Sequence, residues 1–135
     1  MRGLVIASAL VLACLTGMAA SQPAAAPPPA SQAGRSCFFV TQFDNWRAQD
    51  PNTMYIRVNM NKYYRLDMSG SCPALLWPDA HLIMNVRGPD TICSPLDWDL
   101  KVSTGLHGIP MPCIVKTMTP LTPDQAAAIP KKFKP

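Results

Sequence analysis

The stretch from Met54 to Met68 constrains the fold more than any other part of the chain. Met54, Ile56, Val58 and Met60 alternate with Tyr55, Arg57 and Asn59; beyond a break near Asn61, Tyr64, Leu66 and Met68 alternate with Tyr63, Arg65 and Asp67. Successive strand side chains point to opposite faces, so each run has one apolar and one polar face. Two such runs across a short break predict a β-hairpin buried on one side. Its outer face would carry Tyr55, Tyr63, Arg57 and Arg65. Tyr and Arg dominate binding hot spots, while cross-strand pairing on a solvated sheet is the plainer reading.

The other elements can be arranged around this hairpin. Ser69-Gly70-Ser71 ends it, and Cys72 to Leu76 predicts one helical turn with Pro73 at its first position. Trp77 precedes Pro78 and is steered out of helix, which stops that turn. His81 to Val86 predicts a strand, closed by a turn at Gly88-Pro89-Asp90. Leu96, Trp98, Leu100 and Val102 alternate with Asp97, Asp99 and Lys101, a half-buried strand, and Cys113 to Met118 forms a last one. Upstream, Cys37 to Val40 reads as a short apolar strand. Phe43 and Trp46 are spaced to share one face of a helical turn or to cap a sheet edge. Thr122 can cap a short helix, with Pro123 at its first position and Gln125 completing a capping box. That helix ends by Pro130, and residues 131–135 are a basic tail expected to fray. About five or six short strands then predict an all-β or β-rich α+β domain, a small antiparallel sheet or curled sandwich with one short C-terminal helix.

Ahead of this domain, residues 36–130, lie two segments with no core-forming pattern. Residues 1–20 combine Arg2, the apolar run LVIASALVLACL and the small residues Gly17, Ala19 and Ala20, the pattern of a secretory signal peptide. Residues 21–35 include four prolines and read as an extended Pro/Ala-rich linker. Val11-Leu12-Ala13-Cys14 resembles a lipobox, which makes Cys14 the candidate lipidation site. The expected location is periplasmic, or lipid-anchored to the envelope if Cys14 is acylated. Membrane contact is expected only through Cys14 or a retained leader.

Without the leader, four cysteines remain: Cys37, Cys72, Cys93 and Cys113. An even number in an exported chain of this size predicts two disulfides. Zinc sites favour close Cys-x-x-Cys pairs, and these cysteines stand about 20 positions or more apart. Four cysteines allow three connectivities, and spacing does not choose among them. A domain of about 95 residues has a small core, and each bridge contributes about 2–4 kcal/mol.

The formal charge of +4 suggests a basic protein, but Arg2, Arg35, Lys131, Lys132 and Lys134 all lie outside residues 36–130. Within that span seven Lys/Arg and eight Asp leave a net of −1, which disfavours a nucleic-acid partner. Asp97 and Asp99, two apart on one predicted strand, would put their carboxylates on one face about 6–7 Å apart. That spacing could serve acid–base chemistry or calcium, and the solvated face of an amphipathic strand explains it as well. His81 and His107 are the only histidines, and nothing pairs either with a nucleophile. No phosphate loop, G-x-S-x-G or Cys–His arrangement is present. No catalytic, cofactor-binding or metal-ligating residue is therefore assigned.

The segments CFF, NWRAQD, YIRV, YYRLDMSGSCPALLWPDA, CSPLDWDL, PCIV and LTPDQAAAIP together resemble a proteobacterial domain-of-unknown-function family of small exported proteins and lipoproteins. The resemblance spans Cys37 to Pro130 and is most specific from Tyr63 to Pro73. It implies export, and it lends no catalytic residues because the family has no assigned activity. Other members keep counterparts of Cys72 and Cys113 alone, so the resemblance implies the pairing Cys72–Cys113 with Cys37–Cys93.

The expected function is an exported, non-catalytic envelope protein, a disulfide-stapled module that binds or supports another envelope protein or ligand. One alternative is a small secreted hydrolase or lyase using Asp97 and Asp99 with His107. Another is an inhibitor of a periplasmic enzyme, presenting the loop Ser103 to Pro110. A pocket gathering Asp97, Asp99 and His107 would mark the enzyme, and an exposed Tyr/Arg surface the binding module.

Overall fold

The computed structural model describes residues 36–105 and 108–135. The leader, the linker, Cys14 and His107 lie outside them. Among the described residues the strands are β1 (Phe38–Phe39), β2 (Phe43–Asp50), β3 (Thr53–Val58), β4 (Lys62–Met68), β5 (Ala80–Val86), β6 (Thr91–Ile92), β7 (Trp98–Thr104), β8 (Met111–Pro112) and β9 (Val115–Pro120). The helix α1 (Pro123–Ala127) follows, and short 3-10 turns join several strands. The fold is the β-rich architecture with one short C-terminal helix that the patterning predicts. Three strands are two-residue pairings: β1 lies within the expected strand Cys37 to Val40, β6 within the short extended run Thr91 to Cys93, and β8 is too brief to show in a sequence.

All pairings are antiparallel. One sheet runs β2-β3-β4-β9, a second β5-β7-β8, and β1 pairs with β6. The two larger sheets share one core. Met54, Ile56 and Val58 from β3 and Tyr64, Leu66 and Met68 from β4 meet Trp98, Leu100 and Val102 from β7. Phe38 of β1 fills the centre, its ring 5.2 Å from Tyr64 and 6.4 Å from Trp98. Leu75, in the 3-10 turn Pro73–Leu76, closes one side. The hairpin register sets Ile56 opposite Tyr64 and Met54 opposite Leu66, so the alternation read from the sequence is the inward face of the sheet.

Four local expectations need correction. Met60 does not continue the inner row; it sits in the hairpin turn with a positive φ, 78% exposed. Gln42 to Arg47 is mostly strand rather than helix. The pairing of β2 with β3 shifts register between Phe43 and Asn45. An extra residue in a strand inverts the in/out alternation beyond it. Phe43 and Trp46, three apart, therefore both pack against the core, which imitates helical spacing. Leu96 is not on β7; it lies in the 3-10 turn Pro95–Asp97, 78% exposed.

The last correction concerns the C-terminus, which does not fray. Thr122 caps α1 with Pro123 and Gln125 in the expected roles. Ala126 and Ile129 are buried. Residues 131–133 form a further 3-10 turn beside β2, and Arg57 Nη1 donates to the Pro135 carbonyl at 3.3 Å. This segment covers the outer face of the hairpin, so Tyr55 is buried there, its hydroxyl donating to Gln49 Oε1 at 3.0 Å. The hairpin is thus packed on both sides.

Leu66 is fully buried at the centre of the core. Leu66→Ala is expected to cost about 2–5 kcal/mol in urea denaturation, whereas Leu96→Ala, at a solvated turn, should cost less than about 0.5 kcal/mol. Equal losses would show that the core is placed wrongly.

Candidate functional site

Two disulfides set the frame. Cys37–Cys93 joins the residue before β1 to the residue after β6, with Cα atoms 4.2 Å apart. Cys72–Cys113 joins the chain leaving β4 to the link between β8 and β9, with Cα atoms 5.7 Å apart. The connectivity is the one the family resemblance implies. The second bridge sits where the chain crosses from one large sheet to the other. Digestion without reduction should therefore release linked peptides containing Cys37 with Cys93 and Cys72 with Cys113; any other linkage would overturn the arrangement.

The candidate acids are each tied to separate local partners, and His107 lies outside the described residues. Asp97 lies in the turn before β7, not on the strand, and its Oδ2 accepts from the backbone N–H groups of Cys93 at 2.8 Å and Ser94 at 2.7 Å. Those two bonds, Cys93 first, hold its pKa below the ordinary carboxylate value. Asp99 is on β7 and receives both Nε and Nη2 of Arg87, a bidentate ion pair on the surface. The Arg87 hydrogen bond is the main cause of its lowered pKa. Each carboxylate is held ionised by structural partners, the opposite of what a general acid needs. His81 is exposed on β5, opposite Ser103. Among the described residues no three His, Cys, Asp or Glu side chains gather as a metal site.

The Tyr/Arg face is brought together, but the chain itself occupies it. Arg57 faces Asp44 at 3.4 Å, Arg65 donates to Asp67 at 2.9 Å, and Lys134 Nζ lies 5.5 Å from the Tyr63 ring centre. Of the expected loop Ser103 to Pro110, Ser103 and Thr104 belong to β7, and Ser103 Oγ donates to the Gly108 carbonyl at 2.9 Å. A side chain at Gly108 would run into the Thr104 backbone.

The sequence reading missed the groove between β7 and the link to β9. Its volume is about 320 Å³, and its lining includes Leu96, Trp98, Leu100, Pro112 and Ile114, with Arg87, Asp99 and Lys101. Leu96 and Ile114 stand 78% and 70% exposed, and Ile109 and Met111 are further exposed apolar side chains before and on β8. Trp98 is buried, yet its Nε1 has no hydrogen-bond partner among the described residues. A buried N–H usually finds an acceptor. The groove stands at the lower end of the volumes that hold small ligands, about 300 Å³. The sequence did hold a signal for it. Ser94-Pro95-Leu96-Asp97 has the capping-box spacing with Pro at the first position, which takes Leu96 out of the strand and into solvent.

These features define a small disulfide-stapled β protein whose sheets share one core and whose candidate acids serve the fold. Residues 1–133 match a family described as a Family of unknown function, DUF6491, and the chain belongs to it. No curated protein and no solved structure matches the chain.

The lowered pKa values of Asp97 and Asp99 fix the sign of one pH effect. Carboxylates more acidic in the folded than in the unfolded chain stabilise the fold above the unfolded value, and that contribution is lost as pH falls through the folded one. Melting temperature should hold near neutrality and drop below about pH 4. Asp97→Asn should lower it at pH 7 and flatten the acid limb; an unchanged limb would detach the loss from this residue.

Proposed function

We propose that this is an exported, non-catalytic envelope protein of proteobacterial type, a rigid binding module that uses the groove beside Trp98 to hold a partner protein. The observation that carries this reading is the pair of disulfides, which suit an oxidising compartment outside the cytoplasm. The apolar leader and the Pro/Ala linker fit the same address. The groove adds exposed Leu96 and Ile114 beside Trp98, so a partner would offer an apolar side chain. The hydrolase alternative is disfavoured because Asp97 and Asp99 are each committed to holding local structure. Anchoring by a lipid on Cys14 is part of the proposal as its second form.

The test is the intact mass of the protein from envelope and cytoplasmic fractions, with and without reduction. The expected product is in the envelope fraction, begins near residue 20 or at an acylated Cys14, and takes up four alkyl groups only after reduction, one per bridged cysteine. Full-length protein with free thiols in the cytoplasmic fraction would sink the reading.

A further inference from the structure

The basic tail, separate from the domain in sequence, becomes part of one face of it. The 3-10 turn Lys131–Phe133 packs beside β2. Lys131, Lys132, Lys134 and Arg47 are all exposed. None of the four takes part in an ion pair among the described residues, where Asp44 and Asp67 are engaged by Arg57 and Arg65. Arg47 also lines a shallow depression with Leu76 and Trp77, which follow the cysteine turn and stand 51% and 37% exposed. The β2 edge strand thus carries Arg47 beside an exposed aromatic and an exposed aliphatic side chain, and meets the turn that bears the tail lysines, of which Lys132 and Lys134 lie over the rings of Phe133 and Tyr63.

We infer that this edge docks on an anionic lipid bilayer, with Lys131, Lys132, Lys134 and Arg47 meeting the headgroups and Leu76–Trp77 entering the interface. Charge alone would equally suit a soluble polyanion. The neighbouring apolar pair decides between them, because peripheral binding combines buried apolar area with attraction to anionic lipid, and Trp favours the membrane interface. The inference rests on the placement of charge and does not depend on the partner groove. Each cation near an anionic surface strengthens binding about fivefold, and salt screens that gain.

The mature full-length protein, sedimented with vesicles of phosphatidylcholine alone or with about 30% phosphatidylglycerol, tests this. Binding is expected only to the anionic vesicles, weakening steeply as salt rises. Lys131→Gln with Lys132→Gln should weaken it about 25-fold, and Arg47→Gln, far from the tail in sequence, about fivefold. Trp77 is the most exposed of the three tryptophans, so bound protein should show blue-shifted emission that Trp77→Phe removes. Equal binding to both vesicle types, unchanged by these variants, would overturn the inference in favour of apolar insertion with no contribution from these cations. Binding to heparin without binding to vesicles would overturn it in favour of a soluble polyanion.

Discussion

The apolar face of the β3–β4 hairpin is the surface on which the core is built. Met54, Ile56, Val58 and Leu66 are wholly removed from solvent there, with Tyr64 at 1% exposure. Sheet faces of this kind cannot be left wet, and a two-stranded hairpin alone is marginal in water. The chain supplies β7 and Phe38 on one side and Ile129 with the C-terminal turn on the other. The outer layer is thin, so the hairpin is the shared middle of the structure rather than one edge of a two-layer sandwich. The charged residues of its outer face then had to be paired within the chain. Asp44 and Asp67 meet that need for Arg57 and Arg65.

The bridges act where the packing is weakest. β1, β6 and β8 are each two residues long, too short to hold position by ladder bonds alone. Cys37–Cys93 lies beside the β1–β6 pair, and Cys72–Cys113 lies beside β8. Each bridge restricts the unfolded chain by closing a long loop, over sequence separations of 56 and 41. The turn carrying Cys93 is reinforced again by Asp97, whose carboxylate gathers the N–H groups of Cys93 and Ser94. A carboxylate that looks catalytic in a sequence here holds a disulfide cysteine in place.

Legibility followed the range of the interactions. The hairpin, the α1 cap and the Pro73 turn were readable because each depends on neighbours within a few residues. β2 was ambiguous because one bulge residue turned strand spacing into helical spacing. The docking of Lys131 to Pro135 was invisible, because it depends on Arg57 and Tyr63 some 70 positions away, with 78 between Arg57 and Pro135. The groove was missed for the same reason, since Ile114 and Leu96 meet only after β7 and β8 pair. What the local pattern could not carry was the identity of the surfaces left over once the long-range contacts were made.

The Tyr64 side chain is buried in the core, and its hydroxyl reaches Ser36, 2.8 Å from Oγ and 3.2 Å from the carbonyl. The next residue is Cys37, bridged to Cys93. Tension arriving from the linker side would be carried into the centre of the fold and across a covalent bond before it reached any strand. The domain would therefore resist pulling as a single block. Unzipping strand by strand from its N-terminal side would stop at the first bridge.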